Sequence, residues 1–189
     1  GVRLTAGGLK TLGVTPALGR DFTIEDDHPD RRYVMLLTDA FWHRRFGADP
    51  AVLGRFLNLA GRQFQIIGVL PPDFDPTLLA RATAGSAPIE ILAPLGYQLG
   101  QPFACRSCQH LQAFGRLAAG ATLPAARAEL EAIHARLVAA FPRDYSDHAI
   151  ALRAAGELIT ARARPALGVL AGAVAFLLLI ACANVASLL

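Results

Sequence analysis

The sequence predicts an α+β domain that runs into a C-terminal membrane helix, and three observations support that class. Over residues 1–164, short apolar runs and turn clusters alternate with at least two helical patterns, without an internal repeat. Every Lys, Arg, Asp and Glu lies at or before Arg164. Ala166 to Leu189, ALGVLAGAVAFLLLIACANVASLL, carries no charge, so the two parts are built for different solvents. With 189 residues, 53% of them hydrophobic and 17% charged, the chain is too apolar for a disordered segment and long enough for one or two packed domains. The net charge of +3 rests almost wholly on Arg, Lys10 being the only lysine. That balance argues against a nucleic-acid partner.

The elements follow in chain order. GGLKT (Gly7 to Thr11) lacks the glycine spacing of a phosphate loop, and a chain with one lysine holds no such loop elsewhere. Any ATP hydrolysis would therefore have to be done by another segment or subunit. Asp26-Asp27-His28, and Asp73 with Asp75, read as solvated loop acids, because acid/base work needs a second group that only the fold can place. Thr38 or Asp39 caps a short helix through AFWHRRF, stopped by Gly47, with Trp42 and Phe46 toward the core and Arg44 and Arg45 at the surface. Phe56 to Val69 reads as a hairpin: FLNL, a turn at Ala60-Gly61, and RQFQIIGV, where Phe64 and Ile66 alternate with Gln63 and Gln65. Pro71-Pro72 ends that strand, Asp73 to Pro88 is a loop or excursion, and Ile89 to Leu95 is a short apolar run.

Cys105-Arg-Ser-Cys108-Gln-His110 is the one local constellation with possible chemistry. Haem attachment needs His where Gln109 stands, and a closed zinc site lacks a fourth ligand, since Cys182 lies in the apolar tail. A thioredoxin-like site wants its first Cys at a helix N-terminus, whereas this pair precedes the strand-like HLQAFGRL. A short-loop disulfide in an oxidising compartment, two free thiols, and a metal or redox site stay open, with the structural pair preferred. No GxSxG, HExxH or EF-hand loop occurs, and no catalytic, cofactor or metal residue is assigned.

A second helix is expected from Leu123 to Phe141, with Thr122 as N-cap, Pro124 in the first turn and Pro142 closing it. Leu123, Ala126, Leu130, Leu137 and Phe141 share one face, with Ile133 and His134 at its border, and Arg127 and Glu131 are spaced to pair. The mixed signs of the polar face favour an amphipathic helix covering a sheet over a membrane-surface helix. His148 to Leu152 and Glu157 to Thr160 read as strand material.

The uncharged tail is about 36 Å long as a helix, enough for a hydrocarbon core of about 30 Å. It is expected to span a bilayer from Pro165 onward, as residues 165–189, in preference to forming a buried core helix. Gly168, Gly172, Ala175, Cys182 and Ala186 line one side with Leu179, and the Gly168/Gly172 spacing permits close helix packing in lipid. Asn184 points nearly the opposite way, where a protein neighbour would satisfy its amide. The chain begins at Gly1 without an initiator Met or a signal peptide, so it reads as an excerpt of a longer protein.

Five separated segments together resemble one family. They are LKTLGVTPALGRDFTIED (Leu9 to Asp26), VMLLTDAFWHRRFGADPAVLGRFLNLAGRQFQIIGVLPPDF (Val34 to Phe74), IEILAPL (Ile89 to Leu95), HLQAFGRLAAGATLPAARAEL (His110 to Leu130) and LLLIACANVASLL (Leu177 to Leu189). In order and spacing they resemble the MacB-like periplasmic core domain and following FtsX-like membrane segment of bacterial ABC transporter permeases, nearest the large acidobacterial type. The resemblance implies a porter-like α/β periplasmic domain over 1–164, incomplete at its N-terminus, with a smaller mixed subdomain inserted around Val34 to Leu95 and Leu123 to Phe141 in the porter-like part. It implies a non-enzymatic permease subunit in the inner membrane with residues 1–164 outside. Its partners would be the lipid bilayer, a second permease copy and a cytoplasmic ATPase holding ATP and Mg, with a periplasmic adaptor possible.

ATP-driven motion would pass through the membrane helices to the outer domains, driving export or extraction of a substrate. That orientation opposes a count of Arg162 and Arg164 by the positive-inside rule, and the resemblance is preferred because the opposing flank would follow Leu189. Gly19-Arg20, Gly54, Gly68, Pro71 and Gly115-Arg116 serve turns and packing on this reading, and no substrate-contact residue transfers. Ala60-Gly61 stands where family hairpins usually carry Asn-Gly, and Gly61 is expected to supply the needed backbone freedom. Two other functions compete: a membrane-tethered periplasmic scaffold regulating cell-wall enzymes, and a thiol oxidoreductase using Cys105 and Cys108.

Overall fold

The computed structural model describes residues 1–76, 79, 88–98, 100, 108, 111–160 and 163–186. The chain forms two compact units, Gly1–Ile150 and Ala151–Leu189. In the first, β1 (Val2–Leu4), β2 (Leu18–Gly19), β3 (Val34–Leu37), β4 (Phe56–Leu59), β5 (Arg62–Val69) and β6 (Ile91–Pro94) form one mixed sheet. Its order is β1-β6-β3-β5-β2, with β4 also on β5. β1 is parallel to β6 and β3 is parallel to β5, whereas β3–β6, β2–β5 and β4–β5 are antiparallel. Val34–Leu95, expected as an inserted subdomain, supplies β3 to β6 of the same sheet that β1 and β2 complete.

Parallel neighbours need a crossover. Between β3 and β5 it is built from α2 (Asp39–Phe46), a 3-10 turn (Pro50–Val52) and β4. Thr38 caps α2 by accepting from the Phe41 N–H, and Gly47 closes it at φ 61°, as its sequence predicts. The sheet is covered on both faces. Leu4, Leu9, Phe22, Leu36, Leu70, Ile89 and Leu92 form one core, Leu9 coming from α1 (Gly8–Leu12). Met35, Leu37, Val52, Phe64, Ile66, Val69 and Ala93 form the other, with Phe41, Trp42 and Phe46 of α2 partly buried against it.

The expected alternation holds through Phe64 and Ile66 and then changes parity. Met35 pairs with Ile66 but Leu36 pairs with Gly68, so Ile67 is an extra residue, and Val69 rejoins the face of Ile66. Beside this bulge the chain approaches itself closely. A Cβ on Gly19, at φ 78°, would lie 2.1 Å from the Ile67 carbonyl oxygen, and one on Gly68 would lie 2.8 Å from the Leu18 oxygen. The β4–β5 turn is the predicted Ala60-Gly61, but Gly61 does not carry it alone: Ala60 sits at φ 51° and Gly61 at φ 80°. The primed turn matching strand twist demands positive φ at both central residues, so Ala60 is strained.

Three other expectations change. The Leu111–Leu117 part of HLQAFGRL carries no strand; Phe114 packs on the first core and Arg116 donates to the Thr11 carbonyl at 3.0 Å. Residues 148–154 carry no regular element, and Ala155–Thr160 is a helix, α5, not a strand. The β-branched Ile159 and Thr160 favoured a strand locally, but a strand exists only where a ladder partner does. The helix expected over Leu123 to Phe141 is α3 (Leu123–Ala140), capped by Thr122 and closed at Phe141, yet no residue of it is buried. Leu123, Ala126, Leu130 and Leu137 are half covered, and His134 and Phe141 meet Tyr145 of α4 (Pro142–Tyr145) with ring centroids 6.5 Å apart. A periodic apolar face states that cover is wanted and not what supplies it.

In the second unit α6 runs 24 residues, Ala163–Ala186. Among the described residues no helix is long and apolar enough to cross a membrane; the described side chains of α6 are those of Gly168–Leu178 and Ile180.

Replacing Ala60 by Asn should relieve the turn and raise stability by about 1 kcal/mol. Gly19→Ala should destabilise by more than about 3 kcal/mol, because backbone and not a yielding side chain blocks the new methyl. Thermal unfolding followed by circular dichroism reads both.

Candidate functional site

Two of the acids read as solvated, Asp26 and Asp27, are instead the fasteners of the sheet's loop end, whereas Asp73 and Asp75 are exposed. Asp26 is only 9% exposed. Its carboxylate accepts from the Arg20 guanidinium at 2.5 Å, from the Thr23 N–H at 2.8 Å and from the Thr23 hydroxyl at 3.1 Å, while the Asp26 N–H donates back to Thr23 Oγ1 at 3.3 Å. Thr23-x-x-Asp26 is thus a reciprocal capping arrangement whose sequence signal, Thr followed three residues later by an acid, was present. Asp27 bridges two other segments. Its oxygens accept the Ala6 N–H at 3.0 Å and the Gly96 N–H at 2.7 Å, just beyond the ends of the parallel strands β1 and β6.

Electrostatics separates the neighbouring acids. Burial pushes Asp26 upward, but the Arg20 hydrogen bond, the Thr23 N–H and the Arg20 charge outweigh it and hold the carboxyl below its ordinary value. Asp21 moves the other way, because burial there exceeds the help of the Phe22 N–H and of Arg20. No sequence signal marked Asp27, since its two partners lie 21 and 69 residues away.

Cys108 is disulfide-bonded; Cys105 lies outside the described residues. Gly168 and Gly172 lie on α6, where an added Cβ at either would meet nothing within 4 Å, and Ala175 is exposed. Asn184 lies in the last turn of α6. Among the described residues no three His, Cys, Asp or Glu side chains are grouped to hold a metal ion.

The profile of the MacB-like periplasmic core domain matches residues 1–133. The chain belongs to this family. Two solved structures are similar to it: the periplasmic region of MacB from Actinobacillus actinomycetemcomitans and the extracellular domain of the noncanonic ABC-type transporter YknZ from Gram-positive bacteria. The first shares 16% identity at TM-score 0.48, covering 76% of this chain and 58% of that one. The second shares 18% at TM-score 0.37, covering 49% and 42%. This chain therefore spans about half the length of either structure. No curated protein matches it. In this MacB-like domain, three of the segments quoted for the resemblance, Leu9 to Asp26, Val34 to Phe74 and Ile89 to Leu95, carry β2 to β6 and the Asp26 turn.

Asp26 should contribute stability that is fully present above its unfolded value near 4 and is lost as pH falls through its lower folded value. Asp21 has the opposite sign: its contribution exists at low pH and disappears as pH rises through its raised value. Asp26→Asn is therefore expected to cost about 2 kcal/mol at pH 7 and to flatten acid unfolding. Asp21→Asn should stabilise slightly at pH 7. Denaturant midpoints measured between pH 2.5 and 7 check both signs.

Proposed function

We propose that this chain is part of the permease subunit of an ABC transporter, with residues 1–164 outside the inner membrane and 165–189 beginning its membrane part. On this reading the folded outer domain couples cytoplasmic ATP hydrolysis to export or extraction of a substrate at the outer face. ATP and Mg belong to a partner ATPase, the permease pairs with a second copy, and a periplasmic adaptor can join it. A Cys105–Cys108 bridge suits such an oxidising compartment.

The observation that carries the reading is α6 behind a domain of this family. Its 24 residues extend about 36 Å. Val169 is 75% exposed, and Leu170, Phe176, Leu177 and Leu178 are each exposed by more than half. At 100° per residue the large residues of Val169–Leu178 and Ile180 occupy about 200° of the helix, and Gly168, Ala171, Gly172 and Ala175, with Leu179 among them, fill the rest. A wide lipid-facing side backed by small residues is the pattern of a membrane helix that packs on a neighbour.

The chain should stay with the membrane fraction after alkaline carbonate washing. Leu177→Arg, near the middle of the stretch, should lower insertion by about 3 kcal/mol and release much of it. Co-purification with an ATPase whose turnover falls when the outer domain is deleted would support the coupling; an indifferent ATPase would remove it.

A further inference from the structure

The sheet has a bare edge with an unusual lining. β4 pairs with β5, and among the described residues nothing pairs with its other side. Leu57 and Leu59 turn toward the second core, leaving Phe56 and Asn58 outside, and Phe56 is 61% exposed. Natural edges are commonly guarded by a charge, a proline or a bulge, and Phe56–Leu59, FLNL, contains none.

Beside this edge lies an open groove of about 710 Å³, lined by Arg45, Phe46, Arg55, Phe56, Leu57 and Asn58. Arg45 comes from the last turn of α2, and the Arg55 guanidinium lies 5.5 Å from the centre of the Phe46 ring. Among the described residues neither arginine has an acid within 4 Å, whereas adjacent Arg44 is paired with Glu90. The nearby Asp49 carboxylate is engaged with the Ala51 N–H at 2.9 Å. The groove thus offers unpaired backbone groups along one side, an aromatic floor and two uncompensated guanidinium groups.

We propose that this groove binds an extended acidic segment of a partner protein, which adds a strand to β4 and places its carboxylates on Arg45 and Arg55. Main-chain hydrogen bonds to an edge supply affinity, alternate side chains supply specificity, and arginine prefers planar carboxylates. A second copy of this chain fits poorly, because its own edge strand, FLNL, carries no carboxylate to set against Arg45 and Arg55. The proposal does not depend on α6 crossing a membrane.

The test uses the full chain in detergent micelles and two fluorescein-labelled octapeptides, one alternating Glu with Val and its twin alternating Lys with Val, read by fluorescence anisotropy. The glutamate peptide should bind at least about tenfold more tightly than the lysine twin. Arg55→Glu should weaken it about tenfold, whereas Arg31→Glu, an equal change of charge at an exposed residue outside the groove, should leave it within about twofold. Phe56→Ala should weaken it about threefold, and replacing the peptide's valines by proline should abolish binding, because proline has no N–H for the ladder. Circular dichroism of each variant confirms the fold. Equal binding of the twin, insensitivity to Arg55→Glu, retention by the proline peptide, or capture of phosphatidylglycerol vesicles in place of the peptide would each overturn the proposal.

Discussion

A strand buried on both faces cannot alternate apolar with polar residues, and the β3–β5 pair at the middle of the sheet obeys that constraint. β3 reads VMLL, with Leu36 in one core and Met35 and Leu37 in the other. Being parallel, the pair requires a crossover, so α2 and β4 must lie between β3 and β5 in the chain. The remaining edge of β5 is then shared: β4 takes Arg62 to Gln65 and β2 takes Gly68 and Val69. At the handover the ladder is kept by irregular backbone, the Gly54 N–H donating to Ile66 and the Arg20 N–H to Ile67. Such a junction leaves no space for side chains, which is why Gly19 and Gly68 face one another there.

The loop end of the sheet meets a different constraint. Backbone N–H groups that leave a ladder half-buried need acceptors, and Asp27 supplies two oxygens to two of them at once. Asp26 does the same for its own turn while holding Arg20. An acid can be buried here only because each oxygen is engaged; removing one partner would strand a charge in poor solvent. The consequence is a sheet end at which the Ala6, Asp27 and Gly96 segments are tied together through one side chain.

What the sequence revealed, and what it hid, divides along the same line. Local chemistry was legible: the Thr38 and Thr122 caps, the Gly47 stop, the two-residue hairpin turn and the apolar run of β6 all follow from neighbours within four residues. The bulge at Ile67 was not, because parity within RQFQIIGV is decided by what lies beside it in β3. Asp26 was legible through its local Thr23-x-x-Asp26 signal, but Asp27 reads as solvated for a reason related to the bulge. A carboxylate in a loop resembles every other until the chain returns 69 residues later with an N–H to satisfy. The strand expected over Glu157 to Thr160 failed because propensity without a ladder partner has nothing to pair with. Of the assigned side chains, Cys105 lies outside the described residues, so the structure speaks to Cys108 alone.

Among the described residues apolar surface is left open on α3, at β4 and on α6, and magnitude distinguishes these three. On α3 the stripe is half covered, and its individual side chains forgo only part of their transfer free energy. At β4 a single aromatic, Phe56, stands out beside two guanidinium groups, the mixture expected of a surface that meets a polar partner transiently. α6 is of another order. Leaving Val169, Leu170, Phe176 and Leu177 in water forgoes about 1.5–3 kcal/mol each, a sum comparable to the whole stability of an ordinary domain, about 5–15 kcal/mol. A helix docked on a water-soluble domain would meet that cost with one apolar stripe and keep charge on its far side. From Ala166 onward this one has no charge on any side, which favours the proposed membrane placement over docking on a water-soluble domain.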